Sequence, residues 1–156
     1  MISLYLANRE SYNEGEIVGE WIELPCYLNN CEDYIINDYH TDIEGLRIDK
    51  YDSIEELNIV ADNYESLSLS EQRKVTSIIE WSCCSAKDAI ESVNDFELKE
   101  NISDNIEYGD YLVENKMGEI PEYIKKYIDI ESLGRDAYEN SNNGFYSSNG
   151  LIIKMD

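Results

Sequence analysis

The chain has 156 residues, 42% of them apolar, and carries 34 Asp and Glu against 12 Lys and Arg, for a net charge of −22. That balance excludes direct nucleic-acid binding, and the lack of any run of 18 apolar residues excludes a membrane-spanning helix. The apolar fraction, together with 13 Tyr, 2 Phe and 2 Trp, excludes a disordered polyanion.

Ile2–Ala7 reads as a first strand and Glu16–Leu24, closed by Pro25, as a second, with turn chemistry at Asn13-Glu14-Gly15 between them. Cys26–Glu32 suits a helical turn, and Asp33–His40 a third strand, so a three-stranded antiparallel sheet is expected. The period then becomes helical. Ser53 with Glu56, Ser68 with Glu71 and, more weakly, Ser85 with Asp88 are capping signals that open three short helices of a small bundle. A fourth helix is expected over Asn105–Lys116, stopped by Gly118, and a fifth starts at Pro121 and runs over Glu122–Tyr127. Asn149-Gly150 predicts a type I′ turn joining Phe145–Ser148 to Leu151–Met155 as a hairpin.

This pattern is α+β. The high charge on a short chain favours an elongated string of small modules over one thick core. The expected boundaries are an N-terminal antiparallel β-sheet over 1–52, a central helical bundle over 53–104, and a C-terminal mixed α/β module with the hairpin over 105–156. Tyr exceeds Phe so strongly that thin layers are expected, with rings packed inward and hydroxyls in water.

The charge belongs to the whole body. The three thirds carry −9, −8 and −5. Glu55 and Asp62 fall on the side of their helix away from Leu57, Ala61 and Tyr64, with Glu65 nearer the edge, and Asp88, Glu91 and Asp95 form an i, i+3, i+7 stripe. Like charges at these spacings repel by a few tenths of a kcal/mol per pair, and a merely solvated face would interleave lysines instead. Crowding of this kind is expected to raise the carboxylate pKa values together.

No catalytic pattern accompanies the acids. His40, the one histidine, has no evident Ser or Cys partner, and the spacing of Cys26, Cys31, Cys83 and Cys84 matches no zinc motif. Reduced, mostly packed thiols and a cytoplasmic protein without metal, cofactor or enzymatic activity are expected; Met1–Leu6 lacks a basic leader. Arg135 reads as a structural ion-pair partner.

Tyr5-Leu6-Ala7-Asn8, the run Tyr12-Asn13-Glu14-Gly15-Glu16-Ile17-Val18-Gly19-Glu20-Trp21 and Leu24-Pro25 together resemble the ArdA antirestriction family. Asp33-Tyr34-Ile35-Ile36-Asn37-Asp38-Tyr39, Tyr51–Asn58, Gly118-Glu119-Ile120-Pro121, Tyr127-Ile128-Asp129 and Gly134-Arg135-Asp136 follow in the same order. Asn37 stands where the family block often carries His. The resemblance implies a homodimeric protein of mobile elements or phages. Such a protein mimics bent B-form DNA and fills the DNA-binding groove of type I restriction–modification enzymes.

On that reading the carboxylates standing in for phosphates include Asp33, Asp38, Asp42, Glu55, Asp62, Glu65 and Glu80, followed by Asp88, Glu91, Asp95, Glu107, Asp110 and Glu114. Tyr127, Ile128 and Arg135, in the least acidic third, are expected at the dimer interface. The alternative is an acidic inhibitor or regulator of one specific basic nucleic-acid-binding partner, without DNA-shape mimicry.

Overall fold

The computed structural model describes residues 1–115, 117–141 and 144–156. Among them are seven α-helices and two three-stranded antiparallel sheets, the α+β class expected. In the first sheet, β1 (Ile2–Asn8) lies between β2 (Gly19–Leu24) and β3 (Tyr34–Thr41). Ile2, Leu4 and Leu6 alternate along β1 and are fully buried, each contributing about 1.5–3 kcal/mol. Opposite β1, Tyr5 pairs with Asp38 and Leu6 with Ile36, so Asn37 is the extra residue of a β-bulge.

Two local expectations in this region need correction. The stretch between β1 and β2 contains a short helix, α1 (Arg9–Asn13), because the Asn8 side chain accepts a hydrogen bond from Ser11 N at 3.0 Å and caps it. The second strand therefore starts at Gly19, not Glu16. Within Cys26–Glu32 only the start of a 3₁₀ turn, Cys31–Asp33, is helical. The backbone of Cys26 is held instead by buried Asn58, whose amide accepts from Cys26 N at 2.7 Å and donates to Cys26 O at 2.8 Å.

The three capping signals all open helices: α2 (Ile54–Ser66), α3 (Leu69–Ser82) and α4 (Ala86–Glu91). Ser53, Ser68 and Ser85 accept from the amides of Glu56, Glu71 and Asp88, and at Ser68 the box is closed by the Glu71 carboxylate. Cys83 ends α3 in the left-handed region, with φ of +53°. After α4 the chain turns through Val93–Asp95 into β4 (Phe96–Lys99), a strand not expected from the sequence.

Next come α5 (Asn105–Asn115), α6 (Glu122–Lys125), α7 (Ile130–Asn140), β5 (Gly144–Ser147) and β6 (Gly150–Lys154). Lys116, the expected last residue of the fourth helix, lies outside the described residues. The helix starting after Pro121 stops at Lys125, short of Tyr127, and α7 was not expected. In the second sheet β6 is central, between β4 and β5. The hairpin is present, but Ser147 faces Gly150, so its two-residue loop is Ser148-Asn149 rather than Asn149-Gly150. Gly150 belongs to the strand, where its φ of +130° and a Cβ position 2.3 Å from Lys99 O exclude any side chain.

One apolar cluster runs from the first sheet through α2, α3 and α4 to Phe96 and Ile152. A smaller one forms around Ile102, Tyr108 and Leu151. Beside it Tyr138 stacks on Tyr146 at 4.4 Å, and burial pushes the Tyr146 phenol up to about 12 while it donates to Asn105 Oδ1.

α5 and α7 approach closely through glycines. A Cβ on Gly134 would stand 1.7 Å from Asn105 O, and one on Gly109 would stand 2.0 Å from Ile130 O. Both obstacles are backbone, so the helices themselves would have to separate. Gly134→Ala is expected to lower unfolding free energy by about 1–3 kcal/mol, measured by urea denaturation. Equal stability of Gly134→Ala and wild type would refute the close-packing account.

Candidate partner-binding surface

Every one of the 34 acids except Glu71 is exposed. Five form ion pairs among the described residues: Asp42 with the Met1 amine, Glu97 with Lys99, Glu100 with Arg73, Glu122 with Lys125, and Glu131 with Arg135. The Glu131–Arg135 pair, at 3.4 Å across one helical turn, gives Arg135 the ion-pair role expected of it. The remaining carboxylates, all exposed but that of Glu71, have no cation within ion-pair distance among the described residues. Two lysines are engaged away from the carboxylates: Lys50 sits over the Tyr12 ring at 3.7 Å, and Lys74 donates to Val93 O.

Glu55, Asp62 and Glu65 lie on the solvent side of α2, opposite buried Leu57, Ala61 and Tyr64, as their spacing required. Glu107, Asp110 and Glu114 form a true i, i+3, i+7 row on α5, whose other face buries Tyr108 and Val113. The expected stripe on the third helix is shorter. Asp88 and Glu91 are on α4, but Asp95 lies in the turn beyond it, because Ser92 Oγ donates to Asp88 O and the chain leaves the helix to bury Phe96. Asp33 ends a 3₁₀ turn before β3, and Asp38 lies beside the bulge, where it accepts from Tyr39 N at 2.8 Å.

Several of these acids also serve the fold. Glu80 accepts from Ser148 N at 2.9 Å and Ser148 Oγ at 2.8 Å, tying α3 to the hairpin loop. Glu107 accepts from Ser103 N and Oγ at 2.7 and 2.8 Å, and Asp88 from Ser85 Oγ. Sequence reasoning did not single out Glu131, Asp136 and Glu139, which α7 exposes, since that helix was not foreseen.

The array acts on its neighbours. Burial, then the charge of Glu55, holds the Cys31 thiol above its ordinary value, and burial with the charge of Asp42 does the same for the Tyr64 phenol. The expected collective rise of the carboxylates is not what governs the two that move clearly. Glu71 is lowered by the Ser68 hydroxyl and amide, and Asp129 by the Ser132 amide and hydroxyl. At helix caps the serine donors outweigh like-charge repulsion.

Of the four thiols, Cys26, Cys31 and Cys84 are half-buried, and Cys83, the left-handed residue that ends α3, is exposed. Tyr123 and Tyr127 stand out from α6 and the turn after it, Tyr127 with 78% of its surface exposed; Ile128 is half-buried and Arg135 is exposed on α7. No helix among the described residues is long and apolar enough to cross a membrane.

The lowered Glu71 sets a pH dependence. A folded-state value below the ordinary 4.5 stabilises the native chain above that pH, and the contribution is lost as pH falls through the folded value. Thermal melts between pH 6 and pH 3 are expected to show a shallower acid-side decline for Glu71→Gln than for wild type; parallel curves would show that this cap carries no such linkage.

A family model described as antirestriction protein (ArdA) matches residues 4–152 of the chain. Comparison with curated proteins returns no match.

Proposed function

The chain belongs to the ArdA antirestriction family, and we propose that it acts by occupying the DNA-binding groove of type I restriction–modification enzymes as a mimic of bent B-form DNA. The observation that carries this reading is the exposed carboxylate array, of which five members are ion-paired among the described residues. A restriction enzyme's groove holds phosphates with Lys and Arg, and its affinity for DNA comes largely from counterion release. Carboxylates fixed on helices and strands can meet the same cations. The chain's 34 carboxylates match the charge of about 17 base pairs at one charge per ~1.7 Å. A mimic that is already bent also avoids the ~1–6 kcal/mol needed to bend a DNA site. The action requires no chemistry by the chain. Because it copies the backbone, it is indifferent to the enzyme's recognition sequence.

The three expected stretches, 1–52, 53–104 and 105–156, serve as successive segments of the mimic, the second and third sharing a sheet through β4 and β6. Two copies joined through the least acidic third double the length of groove that can be filled. Exposed Tyr123 and Tyr127, with Ile128 and Arg135, supply the apolar and paired surface for that contact, where Lys125 and Lys126 also reduce repulsion.

Competition for DNA tests the mimicry. The chain is expected to displace DNA from several type I enzymes of different specificity. Glu55→Gln, Asp62→Asn and Glu65→Gln are each expected to weaken binding less than about threefold, and together by about tenfold or more, with a shallower dependence of binding on salt. Displacement from one enzyme only would favour a dedicated acidic inhibitor of a single basic partner. Loss of all inhibition from one carboxamide change would contradict a distributed mechanism.

Assembly is tested by sedimentation. Wild type is expected to be a dimer at micromolar concentration and Tyr127→Glu a monomer with unchanged helix content. A wild-type monomer removes the dimer, and a Tyr127→Glu dimer removes its placement.

A further inference from the structure

A cleft of about 710 Å³ opens between the loop after β3, α2, the end of α3 and the start of α4. Its size is that of a ligand pocket rather than a surface dimple. The floor is apolar, formed by Leu46, Leu57, Val60, Ile79 and Ala86. The rim carries Glu44, Asp52, Glu56 and Glu80 against Arg47 and Lys87. Asp52 and Glu80 accept hydrogen bonds from Asp49 N and Ser148, whereas the carboxylates of Glu44 and Glu56 have no partner among the described residues. Cys83 stands exposed at the edge.

Copying a DNA backbone does not call for an apolar cleft beside the charges. The rim is net negative within a chain of −22, so an anionic occupant is repelled on approach and a cationic one is drawn in. The floor asks for aliphatic contact as well. An arginine meets both conditions, since its stem lies on apolar surface while its flat, weakly hydrated guanidinium reaches two carboxylates; a strongly hydrated ammonium fits less well.

We propose that this cleft receives a short segment of the partner protein that presents an arginine beside aliphatic side chains. The proposal rests on the DNA-mimic reading and adds to it an anchoring contact that DNA itself does not make. In complexes of this kind a few desolvated anchors, arginine prominent among them, dominate affinity over a wide charged rim. The carboxylate array then provides attraction and orientation, and the cleft fixes the seat.

Two measurements test it on the intact chain. In the first, NMR titration with an end-capped leucine–arginine–leucine tripeptide is expected to shift the amides of Gly45, Val60, Ile79 and Ala86. Glycine–arginine–glycine and leucine–glutamine–leucine peptides are each expected to bind at least about tenfold more weakly. Equal binding of the first control would reduce the site to acidic surface, and equal binding of the second to a greasy groove; either overturns the proposal.

In the second, Cys83 is labelled with a benzyl thiosulfonate, mapped by mass spectrometry, with Cys83→Ser treated alike as the control. The label plugs the cleft and leaves every carboxylate in place. Inhibition of the restriction enzyme is expected to weaken about tenfold on labelling. Unchanged inhibition would overturn the proposal. If the unlabelled protein itself fails to inhibit, the DNA-mimic reading falls and the peptide titration alone decides the cleft.

Discussion

Self-repulsion is the constraint under which this chain folds. A net charge of −22 on 156 residues favours expansion, and 33 of the 34 acids are exposed, so they are kept apart only by the frame beneath them. That frame is aliphatic. Ile2, Leu4, Leu6, Leu24, Ile78, Leu151 and Ile152 are fully buried, and one cluster links the first sheet to the helices and to two strands of the second sheet. The few buried polar side chains, Asn58, Ser77 and Ser147, are hydrogen-bonded, and no buried side-chain polar atom among the described residues lacks a partner. The interior therefore gives nothing away to offset what the surface costs.

The surface is organised by neutral donors more than by cations. Ser68, Ser103, Ser132 and Ser148 each offer an amide and a hydroxyl to one carboxylate, and Ser85 offers its hydroxyl to Asp88. A serine fixes an acid in place without cancelling its charge, which a lysine would do. Helices are thereby capped without removing negative charge from the surface. The positions where the fold holds an acid rigid remain usable as negative charge.

The legible parts of the fold were those with local chemistry. Serine followed three residues later by an acid opened all three helices from Ile54 to Glu91, and alternation of Ile2, Leu4 and Leu6 marked the central strand. What escaped was set by distant partners. Phe96–Lys99 is four residues long and becomes a strand by pairing with Leu151–Lys154. Ile130–Asn140 does carry an apolar stripe, with Ile130, Leu133, Ala137 and Tyr138 at helical spacing behind the Asp129 cap, and was open to a sequence reading; only its close backbone contact with α5 through Gly134 was not. The Asn149-Gly150 signal located the hairpin but not its register, because Gly150 is needed against Lys99 and Asn149 is drawn to Thr76. Exposure of the acids was readable throughout. The cleft was not, since its walls come from residues 44 to 148.

The hairpin's attachment to α3 bears on how the molecule is made. Ser147 meets Ser77 and Ser148 meets Glu80, and Ile152 completes the cluster that begins at Ile2. During translation at roughly 5–20 residues per second, most of the chain leaves the ribosome before those last residues exist. The N-terminal sheet and helices must wait, with their acids mutually repelling, for a strand, Gly150–Lys154, made well after them. Truncation before Ser147 thus removes a wall of the main core.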